Sequence, residues 1–215
     1  MRDITILYYS ANNQPEGFEE KIIENIKTHA GNLPIISVTH KPTDLGQNIV
    51  VGVHDVCYPN LFRQVQIGLR EVKTKYVLTC ESDVLYPADY FTFEPDGKFK
   101  VYRYNNVWVL FPRKGGNKFH YKGFSDGAQL VDKEMWLRDI TKCLGDKTVW
   151  YNKDEKIKTI SYHSNIKGFG DDNVITFKTD GNVRHSTWCS RAIRPKKRLK
   201  TWGTIKEIKA RMNLK

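Results

Sequence analysis

The sequence predicts an α/β fold on a parallel sheet, passing into a mixed α+β second half and ending in a basic C-terminal extension. Three observations predict it. Strand and helix periodicities alternate over about the first 90 residues, the last strand of that series stops at two acids one residue apart, and later segments become short strands between turn residues.

Residues 4–9 are a compact β-rich run, followed by the polar turn Ser10-Ala11-Asn12-Asn13-Gln14 and by Pro15, a residue favoured at helix starts. Phe18, Ile22, Ile23 and Ile26 then recur at helical spacing. Gly31-Asn32 breaks that helix before the apolar residues 33–38, so the opening reads β-α-β. Leu61, Val65 and Leu69, with Phe62 and Val72 beside them, predict a second amphipathic helix, which passes through Lys73-Thr74-Lys75 into a strand over residues 76–80. In parallel sheets ligands sit beyond the carboxyl ends of the strands, where residues 8–13 and 81–83 both fall.

The pattern then changes. Residues 100–104 and 107–111 flank Asn105-Asn106, a dipeptide that tolerates the positive φ of a tight hairpin. Residues 113–118 read as a flexible basic loop, and residues 128–143 as a helix burying Leu130, Met135, Trp136, Leu137 and Ile140. Strands are expected over 157–162 and 174–177, separated by a mobile loop over 167–172. Thr204-x-x-Glu207 matches a capping box and opens a short basic helix with Ile205, Ile208 and Met212 on one face. The expected organisation is one domain over 1–189 and a basic tail over 190–215.

Charge supports that division. From Ser190 onward there are ten Lys or Arg and a single acid, Glu207, so the tail carries +9 of the net +11 and the body is nearly neutral. Such density suits a polyanion, either nucleic acid or an anionic membrane surface. No apolar run approaches the ~20 residues of a membrane span, and the N-terminus enters a strand directly, without a signal-peptide pattern. The expectation is a cytoplasmic protein. Cys57, Cys80, Cys143 and Cys189 are far apart with no CxxC pair, which argues for reduced packing residues over a zinc site or disulfide framework.

The chemistry centres on Tyr76-Val-Leu-Thr-Cys-Glu-Ser-Asp-Val-Leu-Tyr-Pro87. Glu81 and Asp83, in an i, i+2 relation at a strand end, point to one side and can face a hard divalent cation carrying diphosphate oxygens. The plainer alternative is a solvated turn.

These pieces together resemble the GT-A glycosyltransferases, particularly the large family 2 group. The resemblance lies in Asn60-Leu-Phe-Arg-Gln-Val-Gln-Ile-Gly-Leu69 followed by Thr74-Lys-Tyr-Val-Leu-Thr-Cys-Glu-Ser-Asp83, and covers best residues 1 to about 90. Glu81-Ser82-Asp83 stands where that group usually shows Asp-x-Asp, and either acid ligates Mg2+ or Mn2+. The resemblance implies a Rossmann-like GT-A domain and a nucleotide-sugar donor, a UDP-sugar such as UDP-glucose. It carries over Tyr8, Ser10 and Asn12 as donor contacts, with Arg63 and Ser82 alongside them. An ordinary polar β-α turn is the alternative for the first three. It further implies a late histidine ligand, for which His185 in Asn182-Val-Arg-His-Ser-Thr187 is the candidate, against a structural role for a lone histidine. Transfer with inversion, which the resemblance favours over retention, requires a carboxylate to take the acceptor's proton. Asp126, in the glycine-flanked turn Gly123-Phe-Ser-Asp-Gly127 where the family tends to form its acceptor side, is the candidate base. The alternative is that Ser125 or Asp126 caps the expected helix, and Asp132 and Glu134 are the reserves.

The leading expectation is a metal-dependent hexosyltransferase whose acceptor is a hydroxymethylated base in DNA, such as 5-hydroxymethylcytosine, in the manner of a phage-type DNA-modifying glycosyltransferase. The basic tail, with Trp188 and Trp202 among its charges, would hold DNA by phosphate contacts and stacking. The same tail on an anionic bilayer would instead present a saccharide or lipid-linked acceptor. A non-enzymatic nucleic-acid-binding protein and a nucleotidyltransferase are the competing classes.

Overall fold

The computed structural model describes residues 2–112, 116–155, 162, 164–183 and 188–214. Strand β1 (Ile4–Ser10) is buried at all seven positions, because helices and a second sheet cover the two faces of the sheet it centres. Helix α1 (Phe18–His29) starts after Gly17, whose φ of 72° turns the chain, so Pro15 lies in the preceding turn and accepts from the Phe18 amide at 3.0 Å. Strand β2 (Ile35–Thr39) pairs parallel with β1, and β3 (Gln47–Val50) extends that edge. Helix α2 (Tyr58–Glu71) has Pro59 in its first turn. It lies so close to the sheet that a Cβ on Gly68 would run into the Leu7 side chain. Strand β4 (Tyr76–Glu81) returns on the other side of β1, parallel to it, with Tyr9 opposite Glu81.

Next come β5 (Val84–Leu85), α3 (Ala88–Thr92), β6 (Val101–Tyr104), β7 (Val107–Leu110), β8 (His120–Gly123), β9 (Gln129–Asp132) and α4 (Lys133–Leu144). The chain closes with β10 (Ile166–Phe169), β11 (Val174–Phe177), β12 (Arg198–Leu199), β13 (Gly203–Thr204) and α5 (Ile205–Arg211). The larger sheet has seven strands in the order β10-β6-β9-β4-β1-β2-β3, and a four-stranded sheet runs β5-β11-β7-β8. Helices α2 and α4 bury Val65, Leu69, Trp136 and Ile140 against Leu7, Val77 and Val131 of the larger sheet. The second apolar cluster joins α1, the smaller sheet and a group of stacked aromatics that includes Tyr86, Tyr90 and Phe169.

Four expectations are corrected. Residues 100–111 do not form a hairpin: neither Asn105 nor Asn106 has a positive φ, β6 pairs with β9 and β10, and β7 pairs with β8 and β11. The Asn-Asn step carries the chain from one sheet to the other, with the Asn105 amide donating to Phe169 O at 3.0 Å and Asn106 O accepting from Val174 N at 3.1 Å. The helix expected over 128–143 begins only at Lys133, because residues 129–132 form a strand between β4 and β6 that is buried at every position. A continuous apolar run has the same pattern in a buried strand as in a buried helix. Its cap is Asp132, which accepts from the Met135 amide at 3.0 Å, and not Ser125 or Asp126. The first half of the loop expected over 167–172 is strand β10, which ends at Phe169. Of the strand expected over 157–162, all but Tyr162 lies outside the described residues.

The tail forms the capping box that its sequence spells, with Thr204 and Glu207 each bonding the other's backbone amide. Leu199, Trp202, Ile205, Ile208 and Met212 are all buried in the main core, and the Trp202 indole donates to Asn173 O. Trp202 is therefore unavailable for stacking on a base. Among the described residues no helix is long and apolar enough to cross a membrane.

Candidate active site

At the carboxyl ends of β1 and β4 lies a cavity of about 540 Å³, walled also by the start of α2, the 123–127 turn and the smaller sheet. Sheet register explains its chemistry. Tyr9 and Glu81 are neighbours across β1 and β4, and the Tyr9 hydroxyl donates to Glu81 Oε1 at 2.8 Å. Tyr86 accepts from the Glu81 amide at 2.9 Å and donates to Gly127 O at 2.6 Å, tying the acid-bearing strand end to the 123–127 turn. That turn requires glycine at 127, where a Cβ would run into the Glu81 carboxylate.

Asp83 is buried on the same wall and accepts from the Asn182 side-chain amide. The β1 loop is fastened to that segment, with Asn13 Nδ2 donating to Gly181 O at 3.0 Å and Thr179 Oγ1 donating to Gln14 Oε1 at 2.7 Å. Burial, followed by the charge of Asp83, pushes Glu81 up to about 7. Tyr9 and the lysines Lys122 and Lys178 act in the opposite direction.

Of the expected site residues, Ser10, Glu81, Ser82, Asp83 and Asp126 line this cavity. Asp126 is half exposed and its Oδ1 lies 2.6 Å from the Arg103 guanidinium, which also rests 5.1 Å from the centre of the Phe124 ring. Gln14 Nε2 donates to Ser82 Oγ at 3.4 Å. His185 lies outside the described residues.

Three expected donor contacts are placed elsewhere. Tyr8 points to the opposite face of β1 from Tyr9 and donates to Glu19 Oε1 at 2.6 Å in the core. Asn12, at a φ of 48°, braces the β1–α1 loop by holding Glu19, Thr43 and the Lys41 amide. Arg63 is fully buried and satisfies the carbonyls of Leu144, Gly145 and Val149 beyond the end of α4. Both reserve bases are also away from the cavity wall. Asp132 sits opposite Tyr76, at the amino end of β4, and pairs with Lys100 at 2.5 Å. Glu134 is exposed beside Lys133.

The cavity wall includes residues that sequence reasoning passed over: Tyr9, Gln64, Lys122, Lys178, Asn182 and His40. Gln64 was findable, since it is a polar residue on the sheet-facing side of α2, where it donates to Ser10 O at 2.8 Å and Val38 O at 3.0 Å. Lys122 and Lys178 carry no local signal, because strands distant in the sequence bring them to the site.

The donors present fit a hard divalent cation. Glu81 and Asp83 each have one oxygen engaged by a neutral donor, and their mutual repulsion is what a hard cation relieves. Two carboxylates plus phosphate oxygens and water suit Mg2+ or Mn2+. Among the described residues no third His, Cys, Asp or Glu completes an all-protein site.

Compared with family models and with curated proteins, the sequence matches none. Solved structures do resemble it. The S. aureus TarS fragment 1-349 in complex with UDP-GlcNAc superposes with a TM-score of 0.51 at 9% identity, over 88% of this chain and 62% of that one. A mannosyltransferase from Pyrobaculum calidifontis in complex with GDP-Man and Mn2+ gives 0.41 at 16% identity, over 65% and 47%. The inositol-1-phosphate CTP transferase of T. maritima gives 0.47 at 13%, over 81% and 89%. The chain thus spans less than two thirds of the TarS and mannosyltransferase chains. The likeness to TarS is one of fold, and it makes this a GT-A fold: a single α/β domain on a mixed seven-stranded sheet.

Proposed function

We propose that the protein is a metal-dependent glycosyltransferase that moves a sugar from a nucleotide-sugar donor to a hydroxyl acceptor, with a 5-hydroxymethylated pyrimidine in DNA as that acceptor. The observation that carries the reading is the acid pair Glu81 and Asp83 on one cavity wall with Asp126, at the carboxyl ends of the central strands of a GT-A sheet.

In an inverting transfer the acceptor hydroxyl oxygen forms a bond to the anomeric carbon as the bond from that carbon to the diphosphate oxygen breaks. The electron pair leaves with the nucleoside diphosphate, and Asp126 takes the acceptor's proton. Arg103 holds one Asp126 oxygen, which fixes the side chain at the cavity. Glu81 and Asp83 would hold Mn2+ or Mg2+, which when bound supplies electrostatic stabilisation of the departing diphosphate. The β1 loop, through Ser10, and Ser82 would contact the donor.

The DNA acceptor rests on the surface beside the cavity. Arg191, Arg194, Lys196, Lys197, Arg198 and Lys200 are all exposed, and the segment runs along β8, with Phe119 and Lys196 exchanging backbone bonds at 2.7 and 2.9 Å. Trp188, 71% exposed, and Phe124, 51% exposed, belong to the cavity wall and offer flat faces to a base. The bilayer alternative draws less support, since the apolar face of α5 is spent on the core. Incubation with Mn2+, a mixture of nucleotide sugars and hydroxymethylated DNA, followed by digestion to nucleosides and mass spectrometry, tests the reading. A hexose adduct on the modified base supports it; release of sugar 1-phosphate with no adduct points to nucleotidyl transfer.

A further inference from the structure

The cavity holds two cations to which the transfer scheme assigns no task. Lys122 stands on β8 and Lys178 directly follows β11, the two strands that flank β7 in the smaller sheet. Both backbones are fixed by that sheet, Lys178 through a bond from its amide to Leu110 O at 2.9 Å. Both side chains line the same cavity as Glu81 and Asp83. The end of β4 and the turn that leads from it into β5 thus contribute the acids, and the smaller sheet the lysines.

We propose that Lys122 and Lys178 form an anion seat for the diphosphate of the donor, binding its oxygens as paired point charges. Among the described residues neither ammonium forms an ion pair with any acid. Lys122 Nζ instead donates to Ser125 Oγ at 2.8 Å, a neutral partner that orients it and leaves its other two protons for a ligand. Two like charges in one cavity repel, and a bound polyanion relieves that repulsion. Burial, and after it the charge of Lys178, hold Lys122 below its ordinary value, while the charges of Glu81, Asp83 and Asp126 act in the opposite direction. Glu81 and Asp83 would hold the metal, and the two lysines would add to the charge that compensates a bound diphosphate. Ammonium groups serve phosphate oxygens without the fixed geometry that a guanidinium imposes.

The seat takes its biological meaning from the transferase reading, but its binding chemistry is separable from it. The test is calorimetric titration of inorganic pyrophosphate, with Mg2+ present, into the full chain and into Lys122→Met, Lys178→Met and both Lys→Arg variants. Methionine keeps the length of the side chain and removes the charge. Each Met variant is expected to bind pyrophosphate about tenfold or more weakly, as for loss of a hydrogen bond to a charged group, with Arg restoring most of the affinity. Melting temperatures serve as the folding control. Unchanged pyrophosphate affinity in well-folded Met variants, with tighter Mg2+ binding, would overturn the seat and leave the lysines as counterions of the acid pair. No pyrophosphate binding by the unaltered chain would overturn it as well. Lysine-dependent pyrophosphate binding without any sugar transfer would uphold the seat and remove the transferase reading.

Discussion

Tyr8 and Tyr9 are adjacent, yet one braces the core through Glu19 and the other holds Glu81 at the cavity. A residue-by-residue carry-over from a related loop cannot see which face of the strand each occupies, and a shift of one position reverses it. Glu81 offers the sharpest prediction at this scale. Its folded-state value of about 7 lies above its unfolded value of 4.5, so its contribution to stability is fully present below 4.5 and is lost as pH rises through about 7. The metal-free Glu81→Gln variant, titrated by thermal melts, is therefore expected to lose less stability than the parent chain between those two values. A parallel slope in both proteins would mean that Glu81 titrates normally. For catalysis, Asp83→Ala is expected to abolish donor turnover. Asp126→Asn keeps the shape of the side chain and cannot accept a proton, so it is expected to bind donor normally and transfer about 10²- to 10⁴-fold more slowly. Equal rates for the parent and Asp126→Asn enzymes would remove Asp126 as the base.

Elements set off by turn residues were readable: α1 and α2 from the spacing of their buried faces, the almost wholly buried runs β1, β4 and β11 from their length and the breaks around them, and α5 from its capping box. A buried strand that runs straight into a helix was not. Strand β9 looks like the first turn of α4 because Leu130 and Val131 are both covered, and the β6–β7 step looks like a hairpin because each strand's pairing with β10 or β11, 60 or more residues away, leaves no local mark. The acid pair was legible because both members sit at one strand end. The lysines, Tyr9 and Asn182 were not, since their place depends on sheet register and on the union of two sheets. The tail element is an anchor: Trp202→Ala is expected to cost about 3–5 kcal/mol, as for other buried large aromatics, and Thr204→Ala about 1 kcal/mol through the missing cap. Chemical denaturation measures both. A Trp202→Ala protein as stable as its parent would mean that the tail is only loosely docked.

Across the whole molecule, charge and apolar packing divide the tail between two roles. Its apolar side chains complete the core, so removal of the segment would uncover the surfaces that Leu199, Ile205 and Ile208 pack against and confound any binding assay. Its exposed cations can be altered singly. Changing Arg191, Arg194 and Lys197 to Gln is expected to weaken duplex binding and lower the slope of log affinity against log salt by about 0.9 for each phosphate no longer neutralised, with melting temperature unchanged. An unaltered slope would place the acceptor elsewhere and favour a saccharide. The central claim, that Glu81 and Asp83 support sugar transfer, is tested most directly by nucleoside diphosphate release from a panel of nucleotide sugars, compared with Mn2+, with chelator and with Asp83→Ala. Release from a nucleotide sugar in Mn2+ alone, lost in chelator and in the variant, is expected; full release in chelator, or none from any donor, would contradict it.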